Sequence, residues 1–265
     1  AADKFRQQSY FTVSRDKGQS FGTITAFDSL DWPQLGRGDM SAGLGELAAI
    51  YVASKVPASE QATCPCEVWG ISTDEGKTFT RHVLKQVVIP PPAPGARIGG
   101  PQGGDGSLNV VVADPTTAGR FAVMRYVRAP QPHYEYSTTS DSGKTWSSFV
   151  SVGSVPTATS FTKPATRWSR WGVIGLTWKA VNADGSFELW GAISKDAGMT
   201  FSAPLKISHA PSPARDYYRD SQQDDNDGLD ISKDHLFMIW GDKRAGFQAS
   251  WFGKVPISSF TFATR

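Results

Sequence analysis

The sequence predicts an all-β fold built from repeated antiparallel sheets. Three observations carry this. One eight-residue pattern occurs four times, as Ser14-Arg-Asp-Lys-Gly-Gln-Ser-Phe21, Ser72-Thr-Asp-Glu-Gly-Lys-Thr-Phe79, Thr139-Ser-Asp-Ser-Gly-Lys-Thr-Trp146 and Ser194-Lys-Asp-Ala-Gly-Met-Thr-Phe201. Each copy follows a run rich in aromatic and β-branched residues, as half-buried strands are: Gln8–Val13, Cys66–Ile71, Pro132–Ser137 and Phe187–Ile193. No amphipathic helical segment of useful length is present. The aspartates Asp16, Asp74, Asp141 and Asp196 stand 58, 67 and 55 residues apart. A motif recurring at such intervals marks a repeat architecture.

The pattern reads as a hairpin turn. Asp accepts hydrogen bonds from backbone amides just ahead of it, and Gly two residues later supplies a positive φ. The closing aromatic is expected to be the first buried residue of the next strand.

The repeat resembles the Asp-box, or BNR repeat, of sialidases and sialidase-like β-propellers. The resemblance implies four-stranded antiparallel blades, with each Asp-box joining the third and fourth strands at the periphery. It makes Asp16, Asp74, Asp141 and Asp196 structural rather than catalytic. About five blades are expected, near residues 1–30 (partial), 31–95, 96–156, 157–215 and 216–265. Three arrangements stay open: part of a larger, six-bladed propeller, a smaller closed one, or a propeller completed by another polypeptide.

In chain order, residues 3–27 hold two strands around the first turn. Leu44–Ala53 supplies inner strands of the next unit, and Arg81–Ile89 its outer strand. Pro90-Pro-Pro-Ala-Pro94 cannot pair within a central sheet and is a connector. Gly99–Gly106 is Gly-rich but lacks the Lys-Ser/Thr ending of a phosphate loop. Leu108–Ala113 and Arg120–Val127 are strands. Trp171–Trp178 is the clearest inner strand of the fourth unit, with a turn at Asn182–Gly185. The last unit has strands at Gly228–Ser232, His235–Trp240 and Gln248–Val255, and no copy of the repeat. Its Trp240-Gly-Asp-Lys-Arg244 run resembles the Trp-x-Asp-x-Arg ending of late sialidase blades.

Composition narrows the partners. Charged residues are 20% and the net charge is +2, too balanced for a nucleic-acid surface. No apolar run is long enough to span a bilayer. The start Ala1-Ala2-Asp3 suggests a processed or trimmed N-terminus and so a secreted or extracytoplasmic protein. Cys64 and Cys66, the only cysteines, are a free or locally bridged loop pair, since one intervening residue is a poor spacing for an unstrained disulfide.

In propellers the ligand face is made by connectors between blades and by loops between second and third strands. Here the expected connectors carry Arg37 with Asp39, Arg97 with Asp105, Arg167 with Arg170, and Arg215 with Arg219, while Arg244 sits in a late loop. Arginine offers a planar fork suited to a carboxylate. The sialidase resemblance implies three arginines on the sialic acid carboxylate, a Tyr–Glu nucleophile pair and an Asp acid/base. By that analogy Arg37, Arg97, Arg167, Arg219 and Arg244 are candidate ligand residues, with Trp168 as a stacking platform. Asp39 or Asp105 is the candidate acid, and Tyr217 or Tyr218 the candidate nucleophile. The family's early Arg-Ile-Pro motif is absent, since Arg97-Ile98 is followed by Gly. No Tyr-Ser motif of the nucleophile type occurs in the late blades. Asp224, Asp225 and Asp227 belong to an acidic run that offers oxygen ligands for calcium, though not at EF-hand spacing. The expected function is an exported propeller that binds glycan or protein without required cofactor, non-catalytic or a subunit. The alternative is an exo-glycosidase acting on acidic sugars.

Overall fold

The computed structural model describes residues 8–86, 108–128, 130–213 and 227–263. Among these, all regular structure is β apart from two short 3-10 turns. Seventeen strands form five antiparallel sheets. The first sheet pairs β1 (Tyr10–Phe11) with β2 (Thr25–Ala26). The second runs in order β3 (Gln34–Ala42), β4 (Leu47–Ala53), β5 (Cys66–Ser72), β6 (Thr80–Gln86). The third holds β7 (Leu108–Ala113), β8 (Phe121–Val127), β9 (His133–Thr139) and β10 (Val150–Ser154), and the fourth β11 (Ser160–Trp168), β12 (Ile174–Val181), β13 (Phe187–Ser194) and β14 (Leu205–Lys206). The fifth has three strands, β15 (Gly228–Ile231), β16 (His235–Asp242) and β17 (Ala249–Pro256).

Two strands stand where connectors were expected. Arg37 and Asp39 lie in β3, and Arg167 lies in β11, rather than in connectors. Both strands are interrupted by a register shift, between Gln34 and Gly38 and between Thr162 and Ala165. A bulge adds a residue to one strand and so breaks the two-residue alternation by which strands are recognised. Cys64 is bridged to Cys66, the first residue of β5.

Contacts divide the chain into two compact units, Ala1–Arg125 with Thr139–Trp146, and Tyr126–Thr138 with Ser147–Arg265. In the first unit, Ala48, Ile50, Trp69, Val111, Ala113, Phe121 and Val123 form one core between the second and third sheets. Trp69 is fully buried, edge-on to Phe121 and to Trp146 at 5.5 and 5.0 Å between ring centroids. A second core gathers Phe27, Trp32, Tyr51 and Val68. The second unit has its own core between the fourth and fifth sheets, including Leu189, Ile193, Ile231, Leu236, Met238 and Trp240. Ile257 and Phe260, just past β17, fold back into it.

The four repeated turns share one hydrogen-bond circuit. In the second copy, Ser72 Oγ donates to Asp74 Oδ1 at 2.8 Å and accepts from Gly76 N at 2.7 Å. Thr78 donates its amide to Oδ1 at 2.9 Å and its hydroxyl to Oδ2 at 2.7 Å. The other copies repeat these contacts around Asp16, Asp141 and Asp196. Every polar position of the pattern therefore has a partner within its own turn. The residue after each aspartate and the glycine after that both have positive φ, near 60° and 85°, as a primed hairpin turn requires. The aromatic behaves differently from expectation. It precedes the next strand instead of starting it, and Phe21 is 64% exposed where the other three are half-buried.

The circuit sets an acid limit. Donation from the Ser20, Thr78 and Thr145 hydroxyls and amides lowers Asp16, Asp74 and Asp141 from an ordinary 3.8 to about 2. A depressed carboxylate stabilises the fold fully above its unfolded value and loses that contribution as pH falls through the folded one. The turns are thus expected to hold at pH 5 and to loosen between about 4 and 2. Carboxyl chemical shifts followed against pH should give midpoints near 2 for these three residues; midpoints near 3.8 would refute the circuit.

Candidate functional site

The register of the fourth sheet defines two ends. Ile174 pairs with Trp168 and Ser194 at the end carrying the repeated turn, and Val181 pairs with Ser160 and Phe187 at the other. Polar side chains of the second unit gather at that other end. Lys179, on β12, is 1% exposed and its Nζ lies 3.0 Å from Asp227 Oδ2, itself 8% exposed. The ammonium sits 5.0 Å from the centroid of Phe187, and Asp227 Oδ1 accepts from Gly241 N at 3.3 Å. A charge so deeply buried is tolerated only when paired.

Asp242, at the end of β16, is the second anchor. It accepts from Arg244 Nε and N, each at 2.8 Å, and from Trp240 Nε1 at 3.1 Å. Burial pushes the Asp242 carboxyl up, but donors from Arg244, Ser212 and Trp240 outweigh it and hold the group below the ordinary value. The Arg244 guanidinium lies 4.9 Å from the centroid of the half-buried Trp251 ring. Ser212 Oγ accepts from Lys243 N at 3.1 Å, and Ser212 pairs with Phe187 as an isolated bridge. The Trp240-Gly-Asp-Lys-Arg244 run thus builds a closed polar corner, with the aspartate as its hub.

The other sequence-derived candidates are dispersed. Arg167 lies at the turn-bearing end of β11, exposed, with Nε 3.7 Å from Asp230 Oδ1. Arg167 and Arg244 therefore stand at opposite ends of the second unit's sheets. Trp168 is 3% exposed and lies in the interior rather than on an open stacking face. Asp39, in the first unit, accepts from Val111 N at 2.9 Å and so ties β7 to β3. Burial raises its carboxyl above the ordinary value, against the Val111 and Met40 amides. Arg37 is placed in β3. Arg97, Asp105, Tyr217, Tyr218, Arg219, Asp224 and Asp225 lie outside the described residues. Among the described residues, no three His, Cys, Asp or Glu side chains are grouped as metal ligands.

Lys179, Ser212 and Trp251 were missed from sequence. Only Lys179 left a signal, a lone cation inside the apolar run Ile174–Val181.

Comparison with known proteins places this geometry in a fold. No protein-family profile matches the chain. No curated protein matches it. Solved structures do: a Hadza microbial sialidase, at TM-score 0.53 and 15% identity, over 87% of this chain and 47% of that one. Trypanosoma rangeli sialidase matches at 0.51 and 11%, over 95% and 41%. The NanB sialidase from Streptococcus pneumoniae matches at 0.51 and 12%, over 95% and 36%. The chain has the sialidase-like β-propeller fold. Among the described residues, three of its five sheets have four antiparallel strands. The chain spans less than half the length of each of these sialidases. Fold at this identity leaves chemistry open.

Proposed function

We propose that the chain is an exported propeller segment that binds a glycan without cleaving it. The ligand is taken where the loop after β16 and the entry to β15 meet. One observation carries the non-catalytic reading: among the described residues, two cations at that end, Lys179 and Arg244, are each paired already, with Asp227 and Asp242. A guanidinium whose fork is occupied by its own aspartate is a poor clamp for a ligand carboxylate. It caps the half-buried Trp251, and a sugar ring would meet the part of the indole that the guanidinium leaves uncovered. The Cys64–Cys66 bridge fits an oxidising compartment. No helix among the described residues is long and apolar enough to cross a membrane.

The second reading, an exo-glycosidase acting on acidic sugars, draws support from Asp39. A buried carboxyl with a raised pKa is what a general acid needs.

One experiment separates them. The protein is incubated with sialylated and desialylated glycoconjugates, and both retention and released sugar are measured. The expected result is saturable retention, weakened about tenfold by Trp251→Ala, with no sugar released. Release of sialic acid that Asp39→Asn abolishes would favour the glycosidase. Retention of neither class would overturn glycan binding.

A further inference from the structure

Cys64 and Cys66 are joined across a single residue, Pro65, with their Cα atoms 4.5 Å apart. That is the short limit of the range for disulfides, and one intervening residue closes a tight ring. A bridge stabilises a fold by restricting the unfolded chain, and its effect shrinks with the loop that it closes. This bridge restricts almost nothing, and the strands around it are paired without it. Cys66 begins β5 and stands in register between Ala53 of β4 and Gln86 of β6. Holding these strands together is therefore not its task. A strained bridge is also more readily reduced than a relaxed one.

The two cysteines differ in access and in freedom. Cys66 has no exposed surface, whereas Cys64 is half-buried and follows the exposed Thr63. The loop from β4 to β5 is docked over its first part. Val56 packs against the core around Tyr51, and Glu60 accepts from Val83 N at 3.4 Å. Gln61 closes a 3-10 turn by donating its amide to the Ala58 carbonyl at 3.2 Å. Beyond that point, among the described residues, Ala62, Thr63, Cys64 and Pro65 make no hydrogen bond. Opening the bridge thus frees Cys64 to move, while the sheet keeps Cys66 where it is.

We propose that Cys64–Cys66 is a thiol–disulfide exchange site whose substrate is a dithiol. One thiol of the substrate, as its thiolate, attacks Cys64 Sγ, the accessible sulfur. A bond forms between these two sulfurs and the Cys64–Cys66 bond breaks. Cys66 leaves with the electron pair of that bond and takes up a proton. The second thiol of the substrate, once deprotonated, attacks the substrate sulfur of the mixed disulfide and expels Cys64, which takes up a proton in turn. In sum the bridge is reduced to two thiols and the dithiol is oxidised to a disulfide. A monothiol is a poor substrate, because Cys66 stays in place and expels it again. A dithiol escapes that reversal by closing on itself. The site lies in the first unit and is independent of the glycan reading.

The test treats the folded full chain with dithiothreitol, with reduced thioredoxin or with glutathione. Samples are quenched with acid and alkylated, and both cysteines are read by mass spectrometry. Dithiothreitol should open the bridge completely without unfolding the protein, and glutathione should leave only a trace of mixed disulfide, on Cys64. Opening by thioredoxin as well would place the substrate on a protein, and opening by dithiothreitol alone among small molecules; either result supports the exchange site. The single variants separate the two sulfurs. Cys64 in Cys66→Ala should form a mixed disulfide with oxidised glutathione about tenfold faster than Cys66 does in Cys64→Ala. The melting temperature should be nearly the same before and after the bridge is opened. A bridge that opens only in unfolded protein, an adduct on Cys66, or equal rates for the two variants would overturn the proposal. So would a fall in melting temperature on reduction as large as that caused by Trp69→Ala, since the bridge would then be a structural staple.

Discussion

Replacing Trp69 by alanine should lower the unfolding free energy by about 3–5 kcal/mol, the usual range for a fully buried aromatic. Three losses coincide at this residue. The indole fills the core between the second and third sheets, with no exposed surface. It makes two edge-on aromatic contacts, with Phe121 and Trp146. Its N–H holds the Ser142 carbonyl, which alanine leaves without that donor. Surrounding side chains can collapse only partly into the gap, because β5 is held in register on both sides by β4 and β6. Trp69→Phe keeps most of the ring and loses the donor, so it should cost distinctly less. Urea unfolding of the three proteins checks this. A shift for Trp69→Ala no larger than that for Trp69→Phe would mean that these contacts contribute little.

Replacing Lys179 by methionine should cost a similar amount, about 3–5 kcal/mol, for an electrostatic reason. Methionine matches the stem of lysine in the apolar run of β12. What it removes is the ammonium 3.0 Å from Asp227, and so it takes a paired charge from a carboxylate that is 8% exposed. The double variant Lys179→Met with Asp227→Leu removes both charges and should regain most of the loss, since two buried apolar groups need no pairing. The comparison of single and double variants is the informative quantity. If the double variant is no more stable than Lys179→Met alone, the ion pair is not what that corner depends on. The same double variant should leave the first unit's melting unaltered, because Lys179, Asp227, Phe187 and Gly241 all lie in the second unit.

Much of the architecture was legible because it rests on local rules. A hydroxyl, an aspartate, a glycine and a second hydroxyl at fixed spacing dictate a turn whose hydrogen bonds close on themselves. Such a turn needs nothing from the rest of the protein, so its four copies announced four hairpins and, with the strands ahead of them, an all-β repeat fold. Strands with clean alternation or unbroken apolar runs were placed well, as at Leu108–Ala113 and Phe187–Ser194. Strands β3 and β11 were not, because their bulges break the alternation and their glycine, proline and arginine residues read as connector.

The candidate site was legible only in part, for a related reason. The Trp240-Gly-Asp-Lys-Arg244 motif marked a place, but not what its arginine does there. From sequence Arg244 looks available for a ligand carboxylate; in the fold, the aspartate two residues before it takes that role. Lys179 and Asp227 are 48 residues apart and share no motif, so only the packing of the fourth sheet on the fifth brings them together. By itself, then, the sequence determined the turns, the sheet class and the order of the repeats, because those follow from hydrogen bonds spanning a few residues. The tertiary structure alone decided which charges are paired, which rings pack together, and that Phe21 stands exposed, because those depend on contacts between residues far apart in the chain.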